Sequence, residues 1–328
     1  MNPIDHPLYG RNRPLFITRP VERCGLDLSN TLLVGRPSFR LEGNGRAGKS
    51  KAALLLQRTH KWRPFNLGFL HTIAGNPERH TEAYIFRDVV MGIGLRHSKN
   101  ASAHDSLERL SRAIEEEAGR ANANEVLLVV DNAEHLVLQD YKHLCKLQDM
   151  FGDDPKLFFL FISQTDAELH GADSIESIAP PHVNGRFFVD RHPFTGLLWA
   201  IPEEERNEYD ANDVALGFRE HDQNLRWPEP DGPTYTAAFA RSAYENGYRL
   251  EQDTDKIKVE IESLCASEGL AVPKDWLMQS FEPFVFIVLT QIAGKDPKFS
   301  GLTSEQIKYA LKASAFTWYE RFRQRVRK

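Results

Sequence analysis

The sequence predicts an α/β fold: a parallel sheet flanked by helices, followed by an all-helical C-terminal region. Three observations carry this expectation. Gly43-Asn-Gly-Arg-Ala-Gly48-Lys49-Ser50 fits G-x-x-x-x-G-K-[ST] and stands between a strand-like and a helix-like segment. Apolar runs of strand length alternate with helical periodicity through the first two hundred residues. Beyond residue 233 the apolar spacing is helical throughout. The expected layout is therefore an N-terminal arm and short helix over 1–33 and a P-loop core over 34–200. A linker or surface excursion follows over 201–233, then a helical lid over 234–328.

Composition sets the outer bounds. The chain has 328 residues, 41% of them hydrophobic and 27% charged, which is ordinary globular usage with a sizeable core. A net charge of −5 argues against a uniformly basic coat but leaves room for local basic strips. The three cysteines, Cys24, Cys145 and Cys265, have no C-x-x-C partners, so neither zinc nor a disulfide framework is supported and a reducing cytoplasm fits. Asp5, Arg11 and Arg13 interrupt the N-terminus, which lacks an apolar signal region, and the longest apolar runs fall far short of a membrane span. A cytoplasmic protein without a membrane role is expected.

Taken in order, residues 1–20 are rich in Pro, Arg and Asn and read as an extended arm, and Pro20 to Leu33 as a short helix. Ser38-Phe-Arg-Leu-Glu42 reads as the strand entering the Gly-rich loop, and Lys51-Ala-Ala-Leu-Leu-Leu56 as the helix leaving it. Gly43, Gly45 and Gly48 permit backbone turns that side chains would block, so successive amides can point at phosphate oxygens. The helix start adds partial positive charge. The whole segment of Gly43, Asn44, Gly45, Arg46, Ala47, Gly48, Lys49, Ser50 and Lys51 is therefore assigned to a nucleoside triphosphate. Lys49 reaches the β/γ-phosphates and Ser50 holds Mg²⁺.

Asn66 to Ile73 is apolar enough for a buried strand, and Gly75-Asn-Pro-Glu-Arg-His80 punctuates it as a loop. Helical spacing follows over Tyr84–Leu95 and Leu107–Ala118. Glu125-Val-Leu-Leu-Val-Val-Asp131 is a β-branched apolar run ending in an acid, the Walker B pattern of a strand buried on both faces. There Asp131 can hold Mg²⁺ opposite Ser50; an aspartate that caps the next element would suit the same letters. His135 to Phe151 reads as a helix, Asp153-Asp-Pro155 as a turn, and Leu157 to Ile162 as a buried strand. Ser163 and Gln164 stand at its tip, within reach of a γ-phosphate or the attacking water. Gly185 to Val189 reads as a further short strand. In 201–233 Pro, Glu, Asp and Asn dominate, and Trp227-Pro-Glu-Pro-Asp-Gly-Pro233 cannot be helical. Helices are expected over Tyr235–Gly247, Asp253–Glu268, Pro273–Ala293 and from Thr303 onward. Thr303-Ser-Glu-Gln306 forms a capping box ahead of the face Ile307, Ala310, Leu311 and Ala315.

A P-loop, a Walker B strand, a polar strand tip, an Arg-bearing strand and a helical C-terminal lid resemble an AAA+ ATPase. The segments Leu41–Ser50, Val126–Leu136 and Arg186-Phe-Phe-Val-Asp-Arg-His-Pro-Phe-Thr-Gly-Leu197 are similar to the TnsC/TniB ATPases of bacterial heteromeric transposons, a likeness covering about residues 35–200. The resemblance implies an ATP- and Mg²⁺-dependent homo-oligomer, a ring or a helical filament, that assembles on duplex DNA. It also implies partners, a target selector and a transposase, that the oligomer links. It makes Asp131 the Walker B acid, Gln164 or Ser163 the sensor at the strand tip, and Arg186 an arginine finger for a neighbouring subunit. A surface arginine in an ion pair would fit Arg186 equally well. DNA contacts fall to Arg79, Arg96 and Lys99, and less readily to Lys142 and Lys146. Arg241 and Arg249 would be lid contacts to the nucleotide. The C-terminal run Arg321-Phe-Arg-Gln-Arg-Val-Arg-Lys328 suits either a DNA or protein contact or a helix end whose cations favour the dipole.

One departure stands out. AAA+ enzymes usually follow the Walker B aspartate with a glutamate that polarises water; here that residue is Asn132, and the nearest carboxylate is Glu134. An amide can orient water but cannot take its proton. Either Glu134 substitutes or hydrolysis is slow, and ATP would then act mainly as an assembly switch. Val130-Asp-Asn-Ala-Glu-His-Leu136 also resembles Walker B of STAND-type signalling ATPases, whose further domains exceed this sequence. The alternative function is therefore a signalling or defence ATPase with no DNA role. A small-molecule phosphotransferase is disfavoured, because the helical last third offers no evident substrate site.

Overall fold

The computed structural model describes residues 5–10, 14–96, 98, 101–152, 154–165, 172–203 and 211–326. In chain order these form α1 (Arg19–Leu33), β1 (Ser38–Gly43), α2 (Lys49–Arg58), β2 (Gly68–Ile73), α3 (Glu82–Gly92), α4 (Ala103–Ala121), β3 (Glu125–Asp131), α5 (Leu138–Met150), β4 (Lys156–Gln164), α6 (Ala172–Ile178), α7 (Pro181–Phe187) and β5 (Arg191–Pro193). They continue with β6 (Leu197–Leu198), α8 (Asp213–Arg219), α9 (Tyr235–Phe239), α10 (Arg241–Glu245), α11 (Thr254–Ser267), β7 (Asp275–Trp276), α12 (Met278–Ile287), α13 (Ser304–Ala313) and α14 (Phe316–Val326). The chain divides into two compact units, one of Val21–Gly45 and Lys49–Phe194, the other of Met1–Pro20, Arg46–Gly48 and Thr195–Lys328.

The first unit is the expected α/β layer. Its five strands are all parallel in the order β2-β3-β4-β1-β5. β3 and β4 are buried almost end to end, as apolar runs on both faces demand of central parallel strands. Ser102 and Asp105 cap α4 reciprocally; Leu107, Leu110, Ile114 and Ala118 form its buried stripe, and Asn122 ends it in a left-handed conformation. The register pairs Gly43 with Gln164 and Ile73 with Asp131, so the carboxyl ends of β1, β3 and β4 share one edge of the sheet.

The sequence misjudged one strand. Gly185–Val189 is not extended: α7 runs from Pro181 to Phe187, with proline at its first turn and Val183 and Phe187 buried four residues apart. The edge strand is the three-residue β5, which pairs Arg191 with Arg40 and Pro193 with Glu42.

The second unit packs around Trp276, which is fully buried and ringed by Phe218, Phe281, Phe284 and Phe316 with centroids 5.0–6.2 Å away. The two-stranded β6–β7 ribbon pairs Leu197 with Trp276. His6 lies edge-on to Tyr235 and Phe239 at 4.5 and 4.7 Å, which fastens the N-terminal segment into this core. Two expectations need amending. Residues 213–219 are helical, with Val214 and Phe218 buried, so 201–233 is more than a linker. The 273–293 segment opens with β7 and carries a π-helical turn over Val288–Ile292. The Pro-rich 227–233 stretch is a tight loop closed by Trp227 N–H to Pro233 O at 3.1 Å. The Thr303–Gln306 capping box forms as expected.

Candidate nucleotide site

The phosphate loop is shaped by close backbone packing. A side chain on Gly43 would place its Cβ 2.1 Å from the Phe194 carbonyl oxygen, so only glycine fits at the end of β1. Gly48 turns at φ +112 and Arg46 at φ +67, which folds the loop back into the first turn of α2. Lys49 is buried, and its Nζ donates to Gly43 O at 2.8 Å and Asn44 O at 2.7 Å. Ser50 and Lys51 lie exposed on the first turn of α2. Within the second unit, the Arg46 guanidinium stands over the rings of Tyr319 and Trp318 at 5.2 and 5.9 Å.

Asp131 is buried at the end of β3, where its Oδ1 accepts from Asn132 N–H at 2.9 Å. Asn132 itself is left-handed, φ 57 and ψ 38, a conformation asparagine tolerates far better than glutamate. That turn starts a 3₁₀ segment over Ala133–His135 and carries Glu134 inward. Glu134 is buried, and its Oε2 accepts from Gln164 N–H at 3.2 Å. Thr165 N–H in turn reaches Gly43 O at 3.1 Å. Glu134, the Ser163–Gln164 strand tip and the start of the P-loop are thus joined by a short run of hydrogen bonds. Ser163 is buried and Gln164 exposed. The hydroxyl of Ser50 and the carboxylate of Asp131 are hard oxygen donors, the set that suits Mg²⁺; a bound ion would supply charge to the phosphates there. Among the described residues no cluster of three or more His, Cys, Asp or Glu is placed to hold another metal.

A network beneath the loop went unread in the sequence. Arg40 is buried in β1, its guanidinium 4.7–5.8 Å from the ring centres of Phe188, Phe161 and Tyr141. Its Nε donates to Glu42 Oε1 at 2.8 Å and its Nη1 to the Tyr141 hydroxyl at 3.0 Å. Arg191 closes on the other Glu42 oxygen at 3.7 Å. These contacts fix the residue that immediately precedes Gly43. The alternation of Arg40 and Glu42 with buried Phe39 and Leu41 is the one signal that could have flagged them.

The other residues singled out are dispersed. Arg186 sits in the last turn of α7, paired with Asp149 at 2.6 Å and bonded to Cys145 O at 3.3 Å. Its own carbonyl accepts from the hydroxyl of Ser38, the first residue of β1, at the sheet edge opposite the P-loop. Arg79 and Arg96 are exposed; Lys99 lies outside the described residues. Lys142 is exposed and Lys146 pairs with Glu82. Arg241 pairs with Glu245, and Arg249 stacks 3.5 Å over Tyr244. Of the basic C-terminal run, Arg323 is buried between Asp275 and Glu320 at 2.6 and 2.7 Å, and Arg321 pairs with Glu268. Among the described residues no helix is long and apolar enough to cross a membrane.

A phosphate loop entering a helix at the centre of a parallel sheet, with an acid two strands away on the same edge, defines a P-loop NTPase. Residues 34–170 match the protein family described as AAA domain, and the fold is that of an AAA+ P-loop ATPase with a helical C-terminal region. The P-loop and the AAA-domain match over residues 34–170 make the protein an ATPase, and Lys49, Ser50 and Asp131 are the residues that would hold ATP and Mg²⁺. No curated protein matches the sequence. Among solved structures it is similar to the ORC2 protein of Aeropyrum pernix in ADPNP and ADP complexes, at 14% identity and TM-score 0.45, over 94% of this chain and 71% of that one. A Walker-type ATPase of Pyrococcus abyssi gives 14% identity and TM-score 0.48 over 97% and 80%. The Aeropyrum pernix ORC1 protein in complex with DNA gives 13% and 0.39 over 91% and 83%. Identities this low and superpositions this loose carry no residue roles across.

Proposed function

We propose that the chain is a cytoplasmic, ATP-switched oligomer that assembles on duplex DNA and regulates transposition, linking a target selector to the transposase. One observation carries the switch. Asn132 occupies the position after the Walker B acid in a left-handed turn, and Glu134, the nearest carboxylate in sequence, is already engaged by the Gln164 backbone N–H. A base held by another donor is a poor acceptor for a water proton, so turnover is slow and nucleotide occupancy is the signal. The transposition reading is supported by the resemblance of Leu41–Ser50, Val126–Leu136 and Arg186–Leu197 to the TnsC/TniB ATPases. Exposed Arg79 and Arg96 suit phosphate contacts of a sequence-tolerant kind. Arg186 acts in this reading on a neighbouring subunit, exchanging its Asp149 partner for a γ-phosphate.

A second reading rests on Val130–Leu136, which also resembles Walker B of a STAND-type signalling ATPase. Binding to labelled duplex DNA, with and without a non-hydrolysable ATP analogue and at two salt concentrations, separates them. Binding that needs nucleotide, weakens with salt and disappears in Lys49→Ala is expected. A protein that binds nucleotide but never DNA is a signalling ATPase, and turnover at tens per second would sink the slow switch.

A further inference from the structure

The loop Gly75-Asn-Pro-Glu-Arg-His80 is tied at both ends to the segment that carries the acidic half of the nucleotide site. At its start, the β2–β3 ladder continues past Ile73: Ala74 N–H donates to the carbonyl of Asp131 itself at 2.8 Å. Gly75 N–H then bonds Asp88 Oδ2 at 2.9 Å, and a Cβ on Gly75 would meet the Tyr84 hydroxyl at 2.3 Å, so the backbone lies flat against α3. At its end, His80 Nδ1 meets Asp140 Oδ2 at 2.6 Å. That same oxygen accepts from Val137 N–H at 3.0 Å in the first turn of α5. Asp140 is 1% exposed, and its Oδ1 has no hydrogen-bond partner.

A buried carboxylate is costly unless its oxygens are hydrogen-bonded. His80 and the Val137 N–H together hold one of the two Asp140 oxygens. Asp140 stands only nine positions after Asp131, and between them lie Asn132 and Glu134. Any rearrangement of this segment when phosphate and metal are bound therefore pulls on both anchors of the loop at once. Between the anchors Asn76, Glu78 and Arg79 are exposed.

We propose that residues 75–80 are a nucleotide-linked contact loop, in which His80 and Asp140 are positioning residues and Arg79 meets the phosphate backbone of duplex DNA. The DNA half of this statement rests on the function proposed above; the latch itself does not. A phosphate contact is sensitive to where its cation stands, because the attraction falls with distance and is screened within about 10 Å at ordinary salt. Holding both ends of a six-residue loop is what turns a mobile arginine into a placed one.

The test compares wild type with Asp140→Asn, His80→Gln and Arg79→Ala in three measurements: affinity for a fluorescent ATP analogue, hydrogen exchange of the 75–81 amides with and without that analogue, and binding to duplex DNA. In Asp140→Asn and His80→Gln, nucleotide affinity is expected to stay within about twofold. The 75–81 amides should exchange at least tenfold faster than in wild type and no longer respond to nucleotide, and the nucleotide-dependent gain in DNA affinity should drop about tenfold. Arg79→Ala should keep the protection pattern, weaken DNA binding, and reduce the slope of log affinity against log salt by about one. If exchange of 75–81 ignores nucleotide in wild type, or is unchanged in both latch variants, the latch is wrong. Should Asp140→Asn fail to fold, His80→Gln, at a partly exposed loop position, decides alone. A wild type that shows the exchange response but binds no DNA overturns the DNA contact and leaves the latch standing.

Discussion

At the residue scale, the left-handed turn at Asn132 suits asparagine and would strain a glutamate. Asn132 stands at φ 57, and the next carboxylate in the chain, Glu134, lies two residues on, where the Gln164 N–H holds it. Glu134→Gln should therefore change the already slow turnover by less than about tenfold while leaving ATP affinity nearly unchanged, measured by phosphate release and analogue titration; a loss of about 100-fold or more would make Glu134 the base. Asn132→Glu should not raise turnover, and should reduce stability by about 1 kcal/mol, because a glutamate in a left-handed turn is strained. A gain in rate would show that the turn can relax. A buried histidine gives a separate expectation. Burial in the C-terminal unit pushes His221 down to about 4 from its ordinary 6.5, although its Nδ1 keeps a contact with Gly217 O at 2.9 Å. Between those two values the unfolded chain holds more protons than the folded one, so stability is complete above pH 6.5 and declines as the pH falls to about 4. The loss reaches roughly 3 kcal/mol for this one group. Urea unfolding of His221→Gln between pH 7 and 4.5 should show a slope smaller by up to one proton.

At the scale of elements, what was legible and what was not divides by the range of the cause. β1, the P-loop and α2 announce themselves because glycines, Lys49 and Ser50 must be adjacent in sequence to form the cradle. β3 and β4 announce themselves because strands covered on both faces are apolar without interruption. The capping box at Thr303 is equally local, and Thr303→Ala should cost about 1 kcal/mol in urea midpoint analysis while leaving ATP binding intact. β5 escaped notice because three residues, two of them Arg191 and His192, carry no strand period; they are extended because β1 pairs with them. The Arg186–Val189 run looked like that strand, but prolines at 180 and 181 start a helix that buries Phe187. The expected helix from Thr303 breaks at Ala315, φ 59, for which the sequence has no glycine to warn of it. The site follows the same rule. Its motifs could be read in place, whereas the Glu134–Gln164 bond spans 30 residues and the Arg40–Tyr141 bond 101, and only the folded sheet brings them together.

At the scale of the whole molecule, two hydrophobic cores serve two units, and the three cysteines report on them separately. Cys24 and Cys145 lie buried in the sheet unit and Cys265 in the helical one. Burial pushes all three thiols above their ordinary range, with the Asp27 charge adding to the effect at Cys24 and Cys265 reaching about 11. The native protein should therefore resist a thiol reagent at neutral pH. Across a denaturant series, two thiols should appear with the unfolding of one unit and the third with the other; fast native labelling of any of them would contradict the packing. The placement of His6 and Phe16 has a consequence of another kind. They pack on Tyr235, Phe239 and His221, so this segment meets partners that follow it in the chain by more than two hundred residues. At roughly 5–20 residues per second, synthesis of those partners follows on the order of 10 to 40 seconds later. During that interval its aromatic and apolar groups are uncovered surface that a chaperone can shield.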